Sequence, residues 1–233
     1  MTSVLTFVSS PGACPYLPDR ESRIRYALDP GVTAAAYAIR LHEGWRRFGT
    51  VMFRNECAAC SACQSLRIPV AAFTPSESQR RAWNKNVNGV VIRRGRPAAS
   101  VEKLAIYERF QRFGHDTKGW SADDEPADLG FFINNPFPTE EWSFFVEERL
   151  VAVGYVDVLP ESLSAIYFYW DPAERHRSLG TFNVLALIAA ARQRGLPHVY
   201  LGYFVKGCRS LEYKARFRPS EVLIGGTWQP LPV

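Results

Sequence analysis

Long apolar runs are missing from this 233-residue chain, and none approaches the ~20 residues that cross a bilayer. The stretch from Met1 to Ala13 lacks the basic segment and apolar core of a secretion signal, so a cytoplasmic protein without a membrane partner is expected. Histidine is scarce: His42, His115, His176 and His198 stand singly, none at metal-ligand spacing with another. No His-Glu-x-x-His, phosphate loop or Gly-x-Gly-x-x-Gly occurs, and no Ser-His-Asp signature is visible. Nothing therefore announces a zinc protease, a nucleotide hydrolase or a dinucleotide enzyme.

Cysteine is sparse too, but it is clustered. Cys57, Cys60 and Cys63 are spaced by two residues each, and Cys14 precedes Tyr16-Leu17-Pro18. Such spacing brings thiolates round one metal, whereas a disulfide scaffold rarely needs it. Five cysteines, an odd number, fit reduced thiols better than paired ones. Cys14, Cys57, Cys60 and Cys63 are the candidate ligands of a zinc or iron–sulfur centre; the alternative is four reduced thiols in a partly buried pocket. Cys208, beside Lys206 and Arg209, is expected to be a packing residue.

The formal net charge of +5 is modest, yet arginine crowds the first hundred residues, with Tyr16, Tyr26, Trp45 and Trp83 interleaved. That distribution suits a phosphate-facing surface with stacking platforms as well as it suits a solvated basic face. A content of 47% hydrophobic residues is ample for a large core.

Strands are expected at Ser22–Leu28 and Thr50–Arg54, flanking a helix over Thr33–Glu43, with the cysteine run in the loop that follows. Leu66–Phe73 reads as a strand, Ser76 and Gln79 form a capping box for a helix through Trp83, and Val87–Arg93 reads as a further strand. A helix from Ser100 should stop at Gly114, and residues 115–138 read as a long loop or lid. Trp142–Glu147, Leu150–Leu159 and Ser164–Trp170 form a three-strand meander, followed by a deeply packed helix over Leu179–Arg194. A strand (His198–Val205), a short helix (Ser210–Phe217) and a last strand (Glu221–Thr227) complete the chain. This is the order of an acyltransferase of the GNAT type. The expected class is α+β: a GNAT-like domain over residues 99–233, and a smaller N-terminal α/β half over 1–98 that carries the cysteine-rich loop.

Several motifs carry a specific resemblance. In the first half they are Cys14-Pro-Tyr-Leu-Pro, Gly44-Trp-Arg-Arg-Phe-Gly, the cysteine run, Leu66-Arg-Ile-Pro-Val and Ser78-Gln-Arg-Arg. In the second they are Phe168-Tyr-Trp-Asp-Pro, Ser178-Leu-Gly-Thr-Phe-Asn, Tyr200-Leu-Gly-Tyr and Glu212-Tyr-Lys-Ala-Arg-Phe. Together they resemble the arginyl-tRNA-protein transferase family over roughly Cys14 to Trp228, and within it the bacterial aspartate/glutamate leucyltransferase branch. The resemblance implies transfer of leucine from Leu-tRNA to the α-amine of proteins beginning with Asp or Glu, which marks them for proteolysis. The chain departs from eukaryotic members at Leu17 and Ser61, where those typically have cysteine.

The implied chemistry asks for no cofactor. The aminoacyl ester is already activated, and an α-amine with a reference pKa of about 7.7–8.0 is partly deprotonated at neutral pH. Positioning, removal of one proton and stabilisation of an oxyanion remain. Asp171, at a strand end just before the apolar helix, is the candidate base or orienting group, with a plain turn-starting role as the alternative. Ser178 and Gly180, at that helix's start, are candidates to hold the adenosine end or the oxyanion. An acidic N-terminal residue calls for cations, and Arg46, Arg47, Arg80, Arg81, Lys206, Lys214 and Arg216 are the candidates, some of which meet tRNA instead. Trp45, Tyr203 and Tyr213 are candidates for the leucyl or adenine pocket. Two other readings stay open: a metal-stabilised RNA-binding module without activity, and an acetyl-CoA-dependent acetyltransferase, against which Phe182 stands where a second glycine would. Arginyl rather than leucyl transfer also remains open.

Overall fold

The structure, a computed structural model, describes residues 4–118 and 129–232. In chain order the elements are β1 (Leu5–Val8), β2 (Gly12–Ala13), β3 (Glu21–Ser22), β4 (Ile24–Leu28), α1 (Ala34–His42), β5 (Arg46–Phe48), β6 (Val51–Asn55), β7 (Gln64–Pro69), α2 (Glu77–Asn86) and β8 (Val91–Gly95). Then follow α3 (Val101–Lys118), α4 (Gly130–Ile133), β9 (Thr139–Val146), β10 (Arg149–Leu159), β11 (Ser162–Trp170), a 3-10 turn (Pro172–Arg177), α5 (Leu179–Gln193), β12 (His198–Phe204), α6 (Arg209–Glu212), a second 3-10 turn (Tyr213–Arg216), β13 (Glu221–Ile224) and β14 (Thr227–Pro230).

Local chemistry sets several boundaries. The Thr33 hydroxyl accepts from Ala36 N and starts α1, and Ser76 with Gln79 forms the expected capping box of α2. Glu147 and Glu148 both adopt positive φ, the geometry of a two-residue hairpin turn between β9 and β10. Gly225 and Gly226 do the same between β13 and β14, so the single strand expected over Glu221–Thr227 is a hairpin. Gly114 does not stop α3, which continues to Lys118; one interior glycine costs only about 1 kcal/mol, and Ile106, Tyr107 and Phe110 pack the helix onto the sheet. Residues 119–128 of the expected lid lie outside the described residues.

Eight strands form the main sheet, in the order β14-β13-β7-β12-β11-β10-β9-β8, and a smaller sheet runs β1-β4-β6-β5. The meander β9-β10-β11, the buried α5 and the parallel return of β12 make the arrangement GNAT-like. The division expected at residue 98 does not separate sheets, because β7 lies between β12 and β13 and β8 pairs with β9. Helices α2 and α5 cover one face, with Leu66, Ile68, Val199, Leu201, Phe182 and Leu187 in the largest core. Helix α3 covers part of the other face, where α1 packs through Tyr37 and Leu41 against Leu159, Tyr200 and Met52 of the small sheet. Among the described residues no helix is long and apolar enough to cross a membrane.

One feature of this frame positions the site. Strands β11 and β12 pair only from Ser162/His198 to Ser164/Tyr200 and then diverge. Strand β12 also slips register against β7 between Tyr200 and Gly202, where Gly202 takes φ +85°. An inserted residue of this kind bends a strand and re-aims its neighbours.

Candidate active site

The segment that enters β5 is pinned to the main sheet at Gly44. The Gly44 carbonyl accepts hydrogen bonds from Tyr203 Oη at 3.0 Å and Ser65 Oγ at 3.3 Å. Its φ of +90° favours glycine there, and a Cβ would stand 2.9 Å from Leu223 Cδ2. Trp45, Arg46 and Arg47 follow, and the two arginines diverge in role.

Arg46 reaches into the gap between the diverging strands. Its Nη1 donates to Ser164 Oγ at 3.2 Å and its Nη2 to the Ala165 carbonyl at 2.7 Å. Lys214, from the second 3-10 turn, enters from the opposite end of the chain and donates to the Tyr203 carbonyl at 2.7 Å. Arg46 Nη2 and Lys214 Nζ each lie 3.5 Å from the point where a Cβ on Gly202 would sit. Both side chains are buried, and among the described residues neither has a carboxylate within 4.0 Å. Burial, then the charge of Arg46, push the Lys214 ammonium down to about 7, while nearby Cys208 pulls weakly the other way. Among the described residues, then, two buried basic side chains converge with no anion between them.

Arg47 is a correction to the expectation that it binds substrate. Its Nε donates to Asp157 Oδ2 at 2.6 Å and its Nη2 to Thr139 Oγ1 at 2.8 Å, in a pair with no solvent exposure. Arg80 and Arg81 are likewise not brought to the gap. They lie exposed on α2, on the opposite face of the sheet, Arg80 bonded to the Pro75 carbonyl and Arg81 paired with Glu77. Lys206, Arg216 and Tyr213 are exposed on the segments around Lys214. Tyr203 is buried and holds Gly44, and Trp45 lies under the Arg54 guanidinium, so both act as supports.

Asp171 is already engaged. Its Oδ2 accepts from Arg109 Nη2 at 2.8 Å and its Oδ1 caps Ala173 N at 3.1 Å. Burial would raise its carboxyl, but the Arg109 hydrogen bond, the Ala173 N–H and the charges of Arg109 and Arg149 together hold it below the usual carboxylate range. A carboxylate this satisfied is a poor base. Ser178 takes φ +57° at the start of α5 without a side-chain cap bond, and Gly180 faces open space. That leaves the helix N-terminus available to an incoming group.

The four loop cysteines converge on one cavity of about 70 Å³ below Tyr16 and Leu17. Cys60 is held down by the Ala62 N–H against the opposing effect of burial, helped by Arg20, whose Nη1 stands 3.2 Å from its sulfur. Burial, then the neighbouring thiols, push Cys63 up to about 12. The donor set suits zinc or an iron–sulfur centre. Among the described residues, however, no three His, Cys, Asp or Glu side chains stand close enough to hold a metal as they are. Binding one requires the sulfurs to draw inward.

Sequence reasoning missed Ser164, Ala165 and Gly202. A glycine inside the strand pattern Tyr200-Leu-Gly-Tyr was the available signal for Gly202, since it marks a bulge or a close approach. Ser164 and the Ala165 carbonyl carry no signal, because only the parting of β11 from β12 exposes them.

Known proteins add the following. Residues 12–81 match the family model for the N terminus of arginine-tRNA-protein transferase, and residues 102–224 match that for its C terminus. An aspartate/glutamate leucyltransferase of Campylobacter jejuni is 39% identical over 222 residues, covering 91% of this chain and 90% of the relative. The enzyme of that name from Pseudomonas fluorescens is 36% identical over 225 residues, covering 95% and 94%. Among solved structures, FemX superposes with a TM-score of 0.52 at 8% identity, over 84% of this chain and 68% of that one, a likeness of fold.

Proposed function

Because the chain belongs to the arginine-tRNA-protein transferase family, we propose that it transfers leucine from Leu-tRNA to the N-terminal α-amine of proteins that begin with Asp or Glu. The observation that carries the acceptor side is the pair Arg46 and Lys214, two buried cations directed at Gly202 that have no carboxylate partner among the described residues. A side-chain carboxylate of the acceptor satisfies both, and an amide in its place leaves both unpaired, which disfavours Asn and Gln.

With the acidic side chain gripped there, the α-amine attacks the carbonyl carbon of the leucyl ester. The C–N bond forms, the ester C–O bond breaks, and the proton lost by the amine ends on the departing 3′-oxygen of tRNA. No side-chain nucleophile is needed, and holding two reactants in register supplies much of the acceleration. The amides at the start of α5, near Ser178 and Gly180, lie toward the far end of β11 from Arg46, so in this reading they serve the donor tRNA and not the oxyanion.

Cys14, Cys57, Cys60 and Cys63 would hold a zinc or iron–sulfur centre whose contribution is to tie the Tyr16–Leu17 segment to the β6–β7 loop. No chemical step passes through it.

The test offers the protein Leu-tRNA and Arg-tRNA, each with labelled amino acid, and peptides beginning with Asp, Glu, Asn or Gln. Label should move from Leu-tRNA to the Asp and Glu peptides only. Label that stays on tRNA, or moves only from Arg-tRNA, overturns the reading.

A further inference from the structure

Asp171 and Glu174 leave one cluster unexplained. Both carboxylates are buried, and each is engaged by more than one cation. Arg109 bonds Asp171, Arg149 pairs with Glu174 and stands 3.8 Å from Asp171, and Arg177 donates to Glu174 at 2.6 Å. Arg175 is exposed beside them, and Lys85 of α2 donates to the His176 carbonyl at 2.9 Å. Among the described residues three guanidinium groups, from α3, β10 and the 3-10 turn, thus hold two carboxylates, and Lys85 and Arg175 add two exposed charges on the segments beside them. Among the described residues, Glu102 accepts from the Leu150 amide and Glu148 pairs with Arg93.

A network serving stability alone has no need of surplus charge, nor of guanidinium groups left half in water. Arg109 is 46% exposed and Arg149 51%. Their anchored forks are pre-organised, so a second partner binds them at little further cost in side-chain entropy. Phosphodiester oxygens are the partner that planar, fixed, excess guanidinium groups suit.

We infer that the fan of Lys85, Arg109, Arg149, Arg175 and Arg177 around the start of α5 is the surface on which backbone phosphates of the donor tRNA dock. The inference rests on the function proposed above and adds where the donor sits. Asp171 follows the last residue of β11, whereas Arg46 is anchored at Ala165 of the same strand, about 20 Å away at roughly 3.3 Å per residue. Phosphates held at the open end of the gap leave a single-stranded 3′ end free to run along it toward Arg46 and Lys214.

The test uses Arg175→Ala, Lys85→Ala and the double variant, because both residues are exposed and neither holds Asp171 or Glu174. Affinity for uncharged tRNA is measured across a salt series, with Arg218→Ala, whose guanidinium bonds the Leu231 and Pro232 carbonyls, as control. The double variant should bind about tenfold or more weakly at low salt, and the slope of log affinity against log salt should shrink by about 1 for each cation removed. An unchanged slope overturns the surface, as does tRNA binding that stays intact while binding to phosphatidylserine vesicles is lost. Leucyl transfer by the wild type separates the two claims. If the wild type transfers and the double variant keeps its KM for Leu-tRNA, the docking surface alone is wrong.

Discussion

Arg47 and Asp157 form an ion pair with no solvent exposure, Nε to Oδ2 at 2.6 Å, which locks β5 onto β10 and so aims the adjacent Arg46 into the gap between β11 and β12. Asp157→Ala leaves a buried guanidinium without its partner and should cost about 3–5 kcal/mol. Urea unfolding checks this, and a loss below about 1 kcal/mol would mean the pair is not what holds β5.

The neighbouring cation should behave differently. Lys214→Met removes one of two like charges from a buried site but also the donor to the Tyr203 carbonyl, so the two effects oppose and stability should change by less than about 2 kcal/mol. Transfer to a peptide beginning with Asp should nevertheless fall by roughly two orders of magnitude in kcat/KM, the cost of a lost charge-assisted contact. Arg46→Ala should show the same loss of transfer while leaving KM for Leu-tRNA unchanged. Equal weakening toward both substrates would argue that these residues shape the fold and not the acceptor pocket.

Protonation of Lys214 predicts a pH dependence. Its ammonium, lowered to about 7, carries its charge below that pH and loses it above. The acceptor amine requires the reverse, gaining reactivity as pH rises through about 7.7–8.0. The profile of kcat/KM should therefore be a narrow bell with a maximum between about 7 and 8. Lys214→Arg stays charged throughout, so its alkaline limb should disappear. The same shift bears on stability: the unfolded lysine binds its proton up to about 10.4, so between about 7 and 10 the unfolded state holds more protons and stability rises with pH. A Lys214→Met comparison across that range isolates the contribution.

Asp171 separates a supporting role from a chemical one. Asp171→Asn keeps the cap on Ala173 but weakens the hold on Arg109. The rate at saturating substrates should change less than tenfold, with a stability loss of about 1–2 kcal/mol. A loss near a thousandfold at unchanged KM would restore it as the base.

For the cysteines, protein purified without oxygen should contain about one zinc or one cluster per chain, and metal removal should lower the melting temperature. Cys63→Ala should abolish binding while leaving residual transfer at low temperature. An empty site with four titratable thiols, and a melting temperature insensitive to chelator, removes the centre.

Periodicity and caps made most elements legible. Thr33, Ser76 and Gln79 named the starts of α1 and α2, and the meander and α5 followed from alternation and from an apolar helix face. The short edge strands β1 and β5 escaped because three or four residues carry no period, and Gly114 misled because a packed helix tolerates one glycine. Among site residues, Arg46 and Lys214 were legible as candidates only within a crowd of cations, from which Arg47, Arg80 and Arg81 could not be told apart.

What the chain by itself determined is the set of local commitments: which segments are strands or helices, which residues can carry positive charge, and which motifs place it in its family. Which cations stay free was decided only by tertiary structure. A charge's role depends on the anion that reaches it, and Asp157 reaches Arg47 across the sheet while, among the described residues, the parting of β11 from β12 leaves Arg46 and Lys214 with none.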